Sequence, residues 1–180
     1  MKRMMRAAGT MAKGLLAVAV LATAAACGGT VSGVATGGPA TVSGGLTGTV
    51  TVKGLGQYQP GVGVVFGLST TTAGGPTVAI TVTLPSGTST LSPGTFTSAS
   101  VSQASIQAYQ GNNGYAAIGG TSVSGSDAQG SFTLNVTEVG STLSAGGGTQ
   151  WPFMHGTLTA TMPAVSSSAA TGTATLTATF

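Results

Sequence analysis

Charge is what this 180-residue chain has least of: five Lys or Arg and two Asp or Glu, where ordinary domains are about a quarter charged. Four of the five cations, Lys2, Arg3, Arg6 and Lys13, fall within the first 13 residues. Beyond residue 26 only Lys53, Asp127 and Glu138 carry charge, and His155 is the one further titratable side chain. The pI near 9.4 therefore belongs to the N-terminal segment, and the rest of the chain has no basic patch. That excludes nucleic acid as a partner, and with it electrostatic binding to anionic membrane surfaces.

The reactive inventory is equally short. One His, one Cys and two carboxylates cannot supply the clustered ligands of a metal centre, so neither metal nor cofactor is expected. A Ser-His-Asp arrangement through His155 is formally available, but no nucleophile elbow accompanies it. Asp127 and Glu138 are the sole pair that could bracket a glycosidic bond, and nothing in their spacing connects them. Asp127 lies in "SGSDAQG", where an Asx-turn role is the ordinary one. The chain is read as non-catalytic, with a hydrolase using His155 as the weakest alternative.

What is present begins with a targeting pattern. "MKRMMRAAGTMAK" is basic throughout, and "GLLAVAVLATAAA" follows as an apolar run too short to span a bilayer. Cys27, the only cysteine, comes immediately after. The stretch "AAAC", ending at Cys27, resembles the lipobox of bacterial lipoprotein signal peptides, with Ala24 where leucine is usual. The resemblance covers about the first 28 residues. It implies cleavage before Cys27, a diacylglycerol on its sulfur and acylation of the new amino group. At about 0.8 kcal/mol per buried CH₂, two or three acyl chains hold a protein firmly to a membrane. Gly28 stands where some bacteria read an aspartate as an inner-membrane retention signal, which points to the outer membrane of a cell envelope. The alternative is an ordinary secretory peptide cut at an A-x-A site, with Cys27 a bystander.

Beyond residue 26, 29 Gly, 29 Thr and 19 Ser make up half of 154 residues. Such a bias could mean disorder, but disorder comes with high charge and few apolar side chains. Here aliphatic residues recur in regular alternation. Residues 28–45 lack a sustained apolar face and are expected to be a flexible tether, spanning roughly 20–25 Å as a random coil, with a short edge strand through some of its valines as the alternative. From residue 46 the strand period of two takes over. Strands are expected over residues 47–52, 62–69, 77–84, 94–101, 104–109, 115–120, 130–139, 155–162 and 171–180. Turn signals such as "AGGP", "LPSG", "SPG" and "GNNG" separate them. "HGTLTATMPA" and "TGTATLTATF" share a G-T-x-T-x-T core and are expected to pair, with Ala, Leu, Met and Phe facing inward.

These features predict residues 1–26 as signal peptide, 27–45 as lipidated Cys and tether, and 46–180 as one all-β domain. The expected fold is an antiparallel β-sandwich of immunoglobulin-like type. A small closed β-barrel is the alternative, because Phe180 at the end of an alternating strand is similar to the last strand of outer-membrane barrels. An aromatic face beside amides suits glycans, so Tyr58, Tyr109, Tyr115, Trp151, Phe153 and His155 are the candidate contact surface. Residues 150–155 are the first choice among them, with a core lid of Trp151 and Phe153 as the simpler reading. The threonine rows suggest a hydroxyl array, yet they read as isolated rows of good solvent-facing strand residues. The expected function is a non-catalytic, lipid-anchored envelope protein with a structural or binding role toward a protein or glycan.

Overall fold

A computed structural model describes residues 38–59, 63–70, 75–124, 128–141, 143–145, 148–151 and 154–180. Cys27, Asp127 and Phe153 lie outside the described residues, as does the whole signal-like segment. The described residues belong to one unit within Val31–Phe180.

Twelve strands follow in chain order: β1 (Gly38–Gly44), β2 (Gly48–Gln59), β3 (Gly63–Thr70), β4 (Thr77–Thr83), β5 (Gly94–Thr97), β6 (Gln103–Gln110), β7 (Asn113–Gly119), β8 (Ser131–Val139), β9 (Leu143–Ala145), β10 (Gly148–Trp151), β11 (Met154–Pro163) and β12 (Thr173–Thr179). They form two antiparallel sheets that do not close into a barrel, consistent with a β-sandwich. The first runs β5-β8-β11-β12-β1-β2, and the second β2-β3-β4-β6-β7, with β10 also on β2 and β9 on β10. Strand β2 serves both. Its residues from Gly48 to Val52 pair with β1, and those from Lys53 to Gln59 pair with β3.

The period of two sorts the side chains. On β11, Leu158, Ala160 and Met162 are buried while Thr157, Thr159 and Thr161 are exposed. On β12, Ala174, Leu176 and Ala178 are buried while Thr173, Thr177 and Thr179 are exposed. The second sheet contributes Val78, Ile80 and Val82 of β4 with Ala104, Ile106 and Ala108 of β6. Among the residues whose burial is described no charged, amide or hydroxyl-aliphatic side chain is buried, so the side-chain packing of the core is almost wholly apolar. The two G-T-x-T-x-T segments pair as expected, Thr159 opposite Thr177 and Ala160 opposite Leu176.

Phe180 belongs to this core. Its ring is 3% exposed, and its backbone exchanges hydrogen bonds with Gly156, N to O at 3.0 and 3.1 Å. A Cβ on Gly156 would stand 2.7 Å from Phe180 Cζ, so the ring occupies the space left by the missing side chain. The register of β11 on β8 shifts at this point, between His155 and Gly156.

Four expectations need correction. The barrel alternative fails with the open sheets. The described fold includes residues from Gly38 on, inside the expected tether: β1 lies between β12 and β2, with Ala40 and Val42 fully buried. Two inward residues are too few to register as periodicity, and this strand is held by the ladders on both its edges. The strand expected over 94–101 stops at Thr97, where Ser100 N–H donates to the Thr97 carbonyl at 3.0 Å and Ser100 Oγ accepts from Thr97 N–H at 2.8 Å. That local turn satisfies groups the ladder would otherwise need. Finally, β2 continues through its glycines to Gln59, and β9 and β10 form a hairpin within a stretch with little alternation.

Truncating either inward anchor tests the sorting. Phe180→Ala is expected to lower unfolding free energy by about 3–5 kcal/mol and Leu176→Ala by about 2–5 kcal/mol, read by urea denaturation. Thr177→Ser, on the exposed face, is expected to stay within about 0.5 kcal/mol of wild type.

Candidate functional site

The five candidate contact residues that are described, Phe153 lying outside them, separate by depth. Trp151 is 3% exposed and Tyr115 is 2% exposed, so both are core residues and not a rim. Trp151 stands opposite Gly56 across the β10–β2 ladder. A Cβ on Gly56 would meet Leu91 Cδ2 at 3.0 Å, Met154 Sδ at 3.2 Å and Trp151 Cε3 at 3.4 Å. The indole thus lies against a glycine in β2, and Trp151 belongs to the core. Tyr115 keeps its polar end satisfied, its hydroxyl donating to the Thr171 carbonyl at 3.1 Å. Tyr58 is half-buried against the core.

His155 is half-buried, and its Nδ1–H donates to the Phe180 backbone oxygen at 3.3 Å. Glu138 is its direct partner across the β11–β8 ladder and is exposed. The structure therefore brings together the one histidine and a carboxylate that sequence spacing leaves unconnected. Among the described residues no group of three or more His, Cys, Asp or Glu could hold a metal ion.

Tyr109 differs from the other aromatic candidates. At 45% exposed it is the one exposed large hydrophobic among the residues whose burial is described. It lies at the end of β6 beside the two-residue turn into β7, where Gln110 pairs with Asn113. Gly111, the first turn residue, has φ +57°, and Asn112 has negative φ, the pattern of a type II′ hairpin turn. Tyr109, Asn112 and Asn113 from this hairpin tip, with Val165, Ser167 and Ser168 from the β11–β12 loop, line an open cleft of about 590 Å³.

The loop is stitched to the hairpin. Val165 N–H donates to the Gly114 carbonyl at 2.9 Å, and Ala169 N–H donates to the Asn112 carbonyl at 2.9 Å. Ser168 Oγ–H lies within reach of the carbonyls of Gly114 at 3.1 Å and Val165 at 2.8 Å. Tyr115 and Ala164 add a β-bridge. These bonds cover the outer edge of β7, an edge that would otherwise offer unpaired backbone groups, and in doing so they fix both walls of the cleft. Sequence inspection finds Tyr109 and the asparagines, but the other wall lies more than fifty residues away and carries no signal of its own.

The threonine rows are in register, which sequence spacing alone does not reveal. Thr97, Thr133, Thr159, Thr177, Thr41 and Thr49 succeed one another across β5, β8, β11, β12, β1 and β2. Each is exposed or half-exposed. An ordinary sheet turns by about 20–25° per strand, so six strands rotate such a row by about 100° or more. Its physical role is to cover a dry core with neutral hydroxyls and methyls.

Trp151→Ala is expected to cost about 3–5 kcal/mol of stability, while Tyr109→Ala stays within about 0.5 kcal/mol, both by chemical denaturation. Equal losses would contradict this division between core and surface. No family model, curated protein or solved structure matches the chain.

Proposed function

We propose that the protein is a non-catalytic, lipid-anchored component of the cell envelope whose β-sandwich serves as a binding module. The observation that carries this reading is the pairing of a lipobox-like "AAAC" with a domain whose polar groups lie outside. In a membrane-spanning barrel the outward face is apolar and the lumen polar. Here the outward residues of β11 and β12 are threonines, and their inward residues are aliphatic. A domain sorted in that way needs a separate means of staying at a membrane, and acylation of Cys27 would supply it.

The neutrality of the outer surface supports the binding role. Solubility normally rests on mixed surface charge and a net charge away from zero. A chain with three charged side chains beyond residue 26 gains little from charge. Tethering to a membrane keeps such a domain out of bulk solution and limits self-association. Glu138 and His155 stand opposite each other as cross-strand neighbours of β8 and β11.

Membrane fractionation of wild type beside Cys27→Ser, with intact mass of the mature N-terminus, tests the anchor. The wild type is expected in the membrane fraction with a diacyl or triacyl mass on Cys27, and the variant is expected to be released folded and soluble without detergent. A variant that remains detergent-dependent would contradict the reading. His155→Ala is expected to leave any measured binding unchanged.

A further inference from the structure

We propose that the cleft between the β6–β7 turn and the β11–β12 loop is a binding site for neutral glycan, with Tyr109 as its stacking platform. This rests on the reading of the domain as an envelope binding module.

Four observations converge on that ligand class. First, Tyr109 is 45% exposed at the rim of the cleft, beside Gly111 and Ser167. An aromatic ring presents an apolar face with a polar tip, which matches the C–H face and hydroxyl rim of a pyranose. Second, Asn112 and Asn113 are exposed at the same hairpin tip. Each amide carries both a donor and an acceptor, the combination that vicinal sugar hydroxyls require. Third, every residue lining the cleft is uncharged, so a phosphorylated, sulfated or carboxylated ligand finds no counter-charge there. Fourth, the walls are fixed before any ligand arrives by the bonds Val165 N–H to Gly114 O and Ala169 N–H to Asn112 O. A preorganised site loses less ordering entropy on binding, which matters most for weakly bound ligands such as sugars.

Size and composition decide against a protein partner. A stable protein interface buries about 800 Å² per partner around a cluster of large anchors. The cleft itself offers a single exposed aromatic anchor, Tyr109, which is too little for such a cluster. The cleft volume of about 590 Å³ falls instead within the roughly 300–1,000 Å³ of small-ligand sites.

The test uses the full-length chain in detergent micelles, titrated by calorimetry with neutral hexasaccharides of the cello, chito and malto series and with a sulfated oligosaccharide as the charged control. At least one neutral series is expected to bind and the sulfated probe is not. Tyr109→Ala is expected to weaken binding by tenfold or more, while Tyr109→Phe, which keeps the ring, stays within about threefold. Asn113→Ala is expected to weaken it several-fold. Raising salt to about 1 M, where the Debye length is about 3 Å, leaves the affinity unchanged. Preference for the sulfated probe, equal binding by Tyr109→Ala, or no response to any neutral series would each overturn the proposal. Membrane attachment is read separately by fractionation, so an anchored protein blind to every sugar overturns the glycan site alone. Protein capture that survives Tyr109→Ala would assign the surface to a protein partner and likewise overturn it.

Discussion

In a chain almost without charge, the alternation of threonine with aliphatic residues has to perform two tasks at once. On β11, β12 and β1 one set of positions builds a dry core, and the interleaved set supplies the polar surface that charged residues provide in other proteins. Because the side-chain period of a strand is two, a register slip of a single residue would exchange the sets and bury a row of hydroxyls. The ladders that hold Thr159 against Thr177 and Thr177 against Thr41 therefore fix which face is wet. Phe180, closed over Gly156 by reciprocal backbone hydrogen bonds, pins the end of β12 in that register.

The same economy of side chains shapes the edges. The edge strands β5 and β7 have no lysines with which to discourage edge-to-edge pairing. The first sheet ends in β5, a strand of four residues, and the second ends in β7, whose outer groups are taken by Ala164, Val165 and Gln129. Protection of β7 draws the β11–β12 loop alongside the β6–β7 turn, and a cleft is left between them. Its position follows from edge protection, and its chemistry follows from the residues available: one tyrosine, two asparagines and small hydroxylated neighbours.

Sequence pattern carries much of this architecture and little of the site. The long alternations, such as those of β4, β8, β11 and β12, are legible because each places three or more apolar residues on one face. β1 is not, since Ala40 and Val42 alone define its inward face and the flanking glycines resemble a linker. β10 is hidden for a different reason: Trp151 is inward because Gly56, nearly a hundred residues earlier, leaves room for it. Tyrosine burial is illegible on the same grounds. Tyr109 and Tyr115 stand six residues apart in one hairpin, yet only the strand register shows that Tyr115 shares the inward face with Ala108 while Tyr109 lies at the open end.

The measurement that tests the account most directly is thiol labelling of single cysteines placed on adjacent positions of β12 in a Cys27→Ser background. With a water-soluble maleimide and no denaturant, Thr177→Cys is expected to react at the rate of a free thiol. Leu176→Cys is expected to be protected until urea unfolds the domain. The opposite order, with position 176 reactive and position 177 shielded, would mean that the hydroxyl face is the interior, and it would contradict the sandwich as described.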